Sequence, residues 1–60
     1  LNLMRAKEIK EDPVMKNVYY QGRPVYIQSV DDDTHMVTIR FTKEEEDLHE
    51  VEVTDLVEEN

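Results

Sequence analysis

Sixty residues with no cysteine and a single glycine make one small domain and exclude disulfide bracing and thiolate zinc sites. Fifteen acidic residues against seven Lys and Arg give a net charge of −8, a field that repels nucleic-acid backbone and anionic membrane alike. No apolar run approaches the roughly 18 residues of a membrane span and no signal-peptide pattern is present, so a soluble, intracellular protein is expected. A chain this short buries only about 60% of its unfolded surface, so its core is marginal and support from a partner chain is a reasonable expectation. With every carboxylate neutralised, seven Lys and Arg and two His leave about +9 before the termini, so strong acid should not precipitate it.

Asn2 is placed to cap a helix. LMRAKEIKE follows, with Leu3, Ala6 and Ile9 at helical spacing and Glu8, Lys10 and Glu11 on other faces. Pro13 disfavours helical geometry at Asp12, so the helix is predicted over 3–11. A helix so short does not hold in water unpacked, so it must lie against a sheet. That sheet comes from Val18 to Phe41, which holds most of the β-branched and aromatic residues, and from the later run around Val51. The predicted strands cover about 17–20, 24–30, 35–41 and 49–54. Gln21-Gly22 is a two-residue turn in which the glycine supplies positive φ. Pro24 fits near a strand start, where its missing N–H is not needed.

Register follows from which face each side chain must reach. The Gln21-Gly22 turn sets Val18 opposite Val25 and Tyr20 opposite Arg23. A turn of odd length around Asp32 would pair Ile27 with Val37 and Val25 with Ile39, whereas a four-residue turn would bring Thr38 and Arg40 onto the core residues. A slip of one residue moves every side chain to the wrong face, so the odd-length turn is preferred. The same logic pairs Ile39 with Val51 and Val37 with Val53. One face then carries Val18, Tyr20, Val25, Ile27, Val37, Ile39, Phe41, Val51 and Val53, with Leu3, Ala6, Ile9 and Leu56 available to cover it. The fold class is α+β, mainly β: one domain over 1–60, a short N-terminal helix followed by a four-stranded antiparallel meander. The ending VEVTDLVEE resembles the last strand and single helical turn of SH3-like and Tudor-like small barrels, with an open sheet as the alternative.

A longer pattern runs through the chain: RAKEI at Arg5 to Ile9, Pro13, Met15, Val18, Tyr20, then Gly22 and Pro24-Val25-Tyr26-Ile27-Gln28, Val30-Asp31, Glu50 to Val53 and Leu56. Together these residues resemble the H-type small acid-soluble spore proteins of spore-forming Gram-positive bacteria, over nearly the full length. Leu1 stands where that family has its initiator Met, which suggests a start codon read literally as Leu. Asp12 replaces the family's usual Ser before Pro13, and the loop after Phe41 is richer in Glu. The resemblance implies a minor protein made in the forespore and kept in the spore core, with no assigned biochemical activity. It does not imply the DNA coating of the better-known spore proteins, whose DNA-binding residues have no counterpart here.

Tyr19, Tyr26 and Met36 alternate onto the face opposite the core, with Pro24, Arg40 and Glu50 in cross-strand reach. Tyr19, Tyr26, Val30, Met36 and Arg40 therefore form the candidate interaction surface. It would be an aromatic cage if the Tudor analogy holds, and a homodimer contact if Tyr26, Val30 and Met36 are contiguous. Ordinary cross-strand packing, with Arg40 paired to Glu50, is the simpler account, since scattered surface apolars are common. Asp31-Asp32-Asp33-Thr34 lacks the alternating ligands, central Gly and late Glu of a calcium loop and reads as a solvated turn. Lys43 to Asp47 reads as a charged loop. His35 and His49 show no zinc spacing. There is no nucleophile with its base and no phosphate loop, so no catalytic residue, metal or cofactor is expected and the chain is not read as an enzyme. Arg5, Lys7 and Lys10 read as partners of nearby carboxylates. The expected partner is another protein, either a different one or a second copy. The alternative, a nucleic-acid-associated small barrel, needs a basic groove that the charge disfavours.

Overall fold

The computed structural model describes residues 1–14, 16–42, 44 and 46–59. The helix, α1, spans Leu3–Glu11, and the Asn2 side chain accepts a hydrogen bond from the Arg5 backbone N–H at 2.8 Å. That contact satisfies one of the donors a helix N-terminus leaves open. Asp12 is already extended (ψ 125°), as the residue before a proline should be. Both helix ends therefore follow from local chemistry.

Five strands follow: β1 (Asn17–Tyr20), β2 (Arg23–Val30), β3 (Met36–Arg40), β4 (His49–Glu52) and β5 (Leu56–Glu59), with a 3-10 turn at Val53–Asp55 before the last. All neighbours are antiparallel, in the order β4-β3-β2-β1-β5. The four expected strands are present, and β5 adds a fifth along the free side of β1, from Asn17 opposite Glu59 to Tyr20 opposite Leu56. The ladder ends at β4 and β5 without joining them, so the sheet is open rather than a closed barrel. Strand β2 serves two ladders: its first residues pair with β1, and Tyr26 onward pair with β3.

The first hairpin has the expected register, Val18 opposite Val25 and Tyr20 opposite Arg23. Gln21 (φ 50°) and Gly22 (φ 79°) both take positive φ, the backbone of a type I′ turn. The second hairpin corrects the expectation. Ile27 lies opposite Ile39 and Val30 opposite Val37, with a register shift between Ile27 and Ser29. Asp31 N–H donates to the Met36 carbonyl at 2.9 Å, which leaves the even-length turn 32–35. By itself that turn would place Arg40 opposite Ile27. Gln28 is the extra residue, a β-bulge that restores the parity an odd-length turn was invoked to supply. Between β3 and β4 the ladder sets Val37 opposite Val51 and Ile39 opposite His49, two residues from the expected pairing. A shift of two keeps the same face.

The inner face accordingly holds. Val18, Val25, Val37, Ile39, Val51, Val53 and Leu56 are buried with Ala6 of α1, and Leu1, Ile9, Tyr20, Ile27, Val30 and Phe41 pack against them. Val53 was expected at the end of a strand. It lies instead in the 3-10 turn, where its N–H donates to the His35 carbonyl at 3.1 Å and its side chain stays buried. The helix is tied down across the core by Arg5, whose Nε and Nη2 donate to the two carboxylate oxygens of Glu58 at 2.8 and 2.7 Å. Lys7 meets Asp32 of the second hairpin turn.

Candidate interaction surface

Strand alternation builds the outer face. Tyr19 lies between Pro24 on one neighbouring strand and Val57 on the other, so three side chains form a row across β2, β1 and β5. Val57 is 55% exposed and Pro24 is exposed, while Tyr19 is half-buried between them. One step along β2, Tyr26 lies opposite Arg40, and the Arg40 guanidinium donates to the side-chain oxygen of Gln28. Met36 lies opposite Glu52. The structure therefore brings Tyr19, Tyr26, Met36 and Arg40 to the outer side of the sheet. It does not bring Val30 there. The bulge at Gln28 turns Val30 inward, opposite Val37, where it packs against the core. The contiguous Tyr26–Val30–Met36 patch that would have argued for a homodimer is thus not formed. Glu50 lies opposite Thr38 rather than Arg40.

Tyr19 and Tyr26 belong to different ladders, one continuing to β5 and the other to β3. The sequence pattern missed Val57, because LVEE shows no alternation and becomes a strand through pairing with β1. It also missed a cluster at the end of the inner face. The Arg23 guanidinium carbon lies 4.0 Å from the centroid of the Phe41 ring, and the His49 ring meets that ring edge-on at 4.9 Å. A guanidinium over an aromatic face is attractive through the ring quadrupole. In the observed β3–β4 register His49 lies opposite Ile39, two residues from Phe41 along the same face of the sheet.

The first acidic run builds a turn. The Asp31 carboxylate accepts the Asp33 and Thr34 backbone N–H groups at 2.8 and 3.3 Å, building the turn on its own side chain. His35 closes that turn at φ 62°. Among the described residues no cluster of three His, Asp or Glu side chains could hold a metal ion. Of the predicted charged loop, Lys43 and Glu45 lie outside the described residues, and Glu44, Glu46 and Asp47 are exposed. The fork from Arg5 holds the Glu58 carboxyl below its ordinary value against the opposing effect of desolvation, and Glu58 in turn raises Arg5. Asp12 is also lowered, first by the Val14 N–H at 2.8 Å and then by Lys16. Between the end of α1 and the first hairpin runs an open crevice of about 220 Å³ floored by Ile9, Val18, Val25 and Ile27 and bordered by Lys10 and Lys16. No helix among the described residues is long and apolar enough to cross a membrane.

Comparison with known proteins gives one consistent result. The family model described as the small acid-soluble spore protein H family matches residues 1–58. A small, acid-soluble spore protein H of Bacillus subtilis is 45% identical over 58 residues, 97% of this chain and 98% of the relative. The Bacillus licheniformis protein of that name is 41% identical over 58 residues, with the same coverage of each chain. One from Clostridium beijerinckii is 46% identical over 39 residues, 65% of this chain and 75% of the relative. No solved structure matches.

Proposed function

The chain belongs to the small acid-soluble spore protein H family, and on that premise we propose that it is a non-enzymatic protein-interaction module of the dormant spore core. The carrying observation is the row Val57–Tyr19–Pro24, an apolar strip on a sheet face that the helix does not cover. Tyr26, Arg40 and Met36 extend that face, and tyrosines beside an arginine suit contact surfaces. The inner face is taken up by the core and its helix, so the outer face is the side of the sheet open to a partner. The overall charge of −8 supports a protein partner over nucleic acid.

A photo-crosslinking residue placed at Tyr19 and, as a control, at exposed Asp33 tests this in intact dormant spores. A discrete protein adduct from Tyr19 and none from Asp33 is expected. Crosslinking of Tyr19 to nucleic acid would move the case to the alternative, a nucleic-acid-associated β protein. Absence of any adduct would contradict the module and leave the chain as an amino-acid reserve consumed on germination.

A further inference from the structure

The junction between helix and sheet carries a chemistry that the interaction surface does not use. Asp12 precedes Pro13, and no other Asp-Pro pair occurs in the sequence. An aspartyl carboxyl can close a five-membered ring on the carbonyl carbon of its own residue. The prolyl nitrogen, a tertiary and comparatively basic amide nitrogen, is the best leaving group the backbone offers for that closure. We infer that Asp12–Pro13 is a latent self-cleavage site that the folded chain keeps closed and that acid unfolding opens.

The step balances without any redox partner. A carboxyl oxygen of Asp12 bonds to the Asp12 carbonyl carbon, and the bond from that carbon to the Pro13 nitrogen breaks with its electron pair passing to nitrogen. The nitrogen takes up the acid proton and leaves as a secondary amine. Water then opens the cyclic anhydride, leaving Asp12 with a free α-carboxyl. The net change is hydrolysis of one peptide bond.

The geometry shows why the native chain resists. One Asp12 carboxylate oxygen accepts the Val14 backbone N–H at 2.8 Å, and the other lies 3.5 Å from the Lys16 ammonium. Attack on the Asp12 carbonyl requires the carboxyl to swing away from both. The Val14 N–H first, then Lys16 and the more distant Arg5 charge, also keep it ionised to lower pH than a free aspartate, withholding the proton the leaving nitrogen needs. Lys10 borders the same crevice, and the β2 side contributes Tyr26 and apolar residues. Once protonation loosens the junction, the carboxyl that clamped the chain becomes the group that cuts it. The cut separates α1, with fully buried Ala6 and half-buried Ile9, from the sheet they cover, so the loss of the fold becomes irreversible.

The test compares cleavage at one pH, the lowest at which circular dichroism still reports the native fold, with and without concentrated guanidinium chloride, following the intact full chain by mass spectrometry. Cleavage of an opened state tracks the population of that state, so the unfolded chain should be cut between residues 12 and 13 at least ~10-fold faster than the native one. Lys16→Met should speed cleavage of the native chain. Asp12→Glu, whose ring would need six members, should suppress cleavage in both states, and Asp12→Ser should abolish it. Equal rates in native and denatured protein would overturn the protection by the fold. Failure of the denatured chain to be cut there, or persistence of the cut in Asp12→Ser, would overturn the site.

Discussion

The two hairpins solve the same problem by different means. In β1–β2 the turn does all the work: two residues at positive φ, one of them the only glycine, fix the register directly. In β2–β3 the turn has the wrong parity, and an extra residue four positions before it, Gln28, corrects the mismatch. Local turn chemistry is enough where a tight turn dictates pairing. Where it does not, the demand that Ile27, Val30, Val37 and Ile39 share one dry face decides the register, and the backbone deforms to comply. The same bulge lies two residues after Tyr26, where β2 has begun to pair with β3, and a bulged strand bends.

The strongest way to break this contrast is to remove the packing that the second hairpin depends on. Ile39 is fully buried and faces Ile27, so Ile39→Ala should cost about 2–5 kcal/mol in urea unfolding. Val18→Ala in the first hairpin should cost about 1.5 kcal/mol, from two lost methyl groups. Next come the turns. A Cβ on Gly22 meets no atom within 4 Å, so Gly22→Ala carries only the strain of φ +79°, about 1–2 kcal/mol. In the other turn His35 already bears that strain at φ 62°, and His35→Gly should be neutral or stabilising by up to about 1 kcal/mol. Thermal unfolding of the two variants checks the opposite signs. The smallest effect concerns the tie between α1 and β5. Because the folded-state value of Glu58 is lowered, its contribution is present above the ordinary carboxylate value of about 4.3 and fades as pH falls through the depressed one. The stability gap between the native chain and Glu58→Gln should therefore be open at neutral pH and close in acid.

These differences also explain what could be read from the residues. The bounds of α1 were legible because Asn2 and Pro13 act on their immediate neighbours. The first register was legible because Gly22 sits inside it. The identity of the inner face was legible because alternation survives shifts of two residues. Strand β5 was not, since LVEE has no strand pattern and pairs because β1 offers it a free edge. Gln28 carries no local mark of a bulge, so Val30 read as an outward residue and turned out to pack inward. Of the candidate surface, Tyr19, Tyr26, Met36 and Arg40 followed from alternation alone. Val57 and the Arg23–Phe41–His49 cluster depend on strand pairings that no short window of sequence contains.

The decisive measurement is the cross-strand nuclear Overhauser pattern of the native chain around Gln28. Contacts linking Ile27 with Ile39 and Val30 with Val37, with Gln28 unpaired, are predicted. Contacts linking Ile27 with Val37 and Val25 with Ile39 would mean an unbulged ladder, return Val30 to the outer face, and contradict the account of how the sheet keeps its two sides apart.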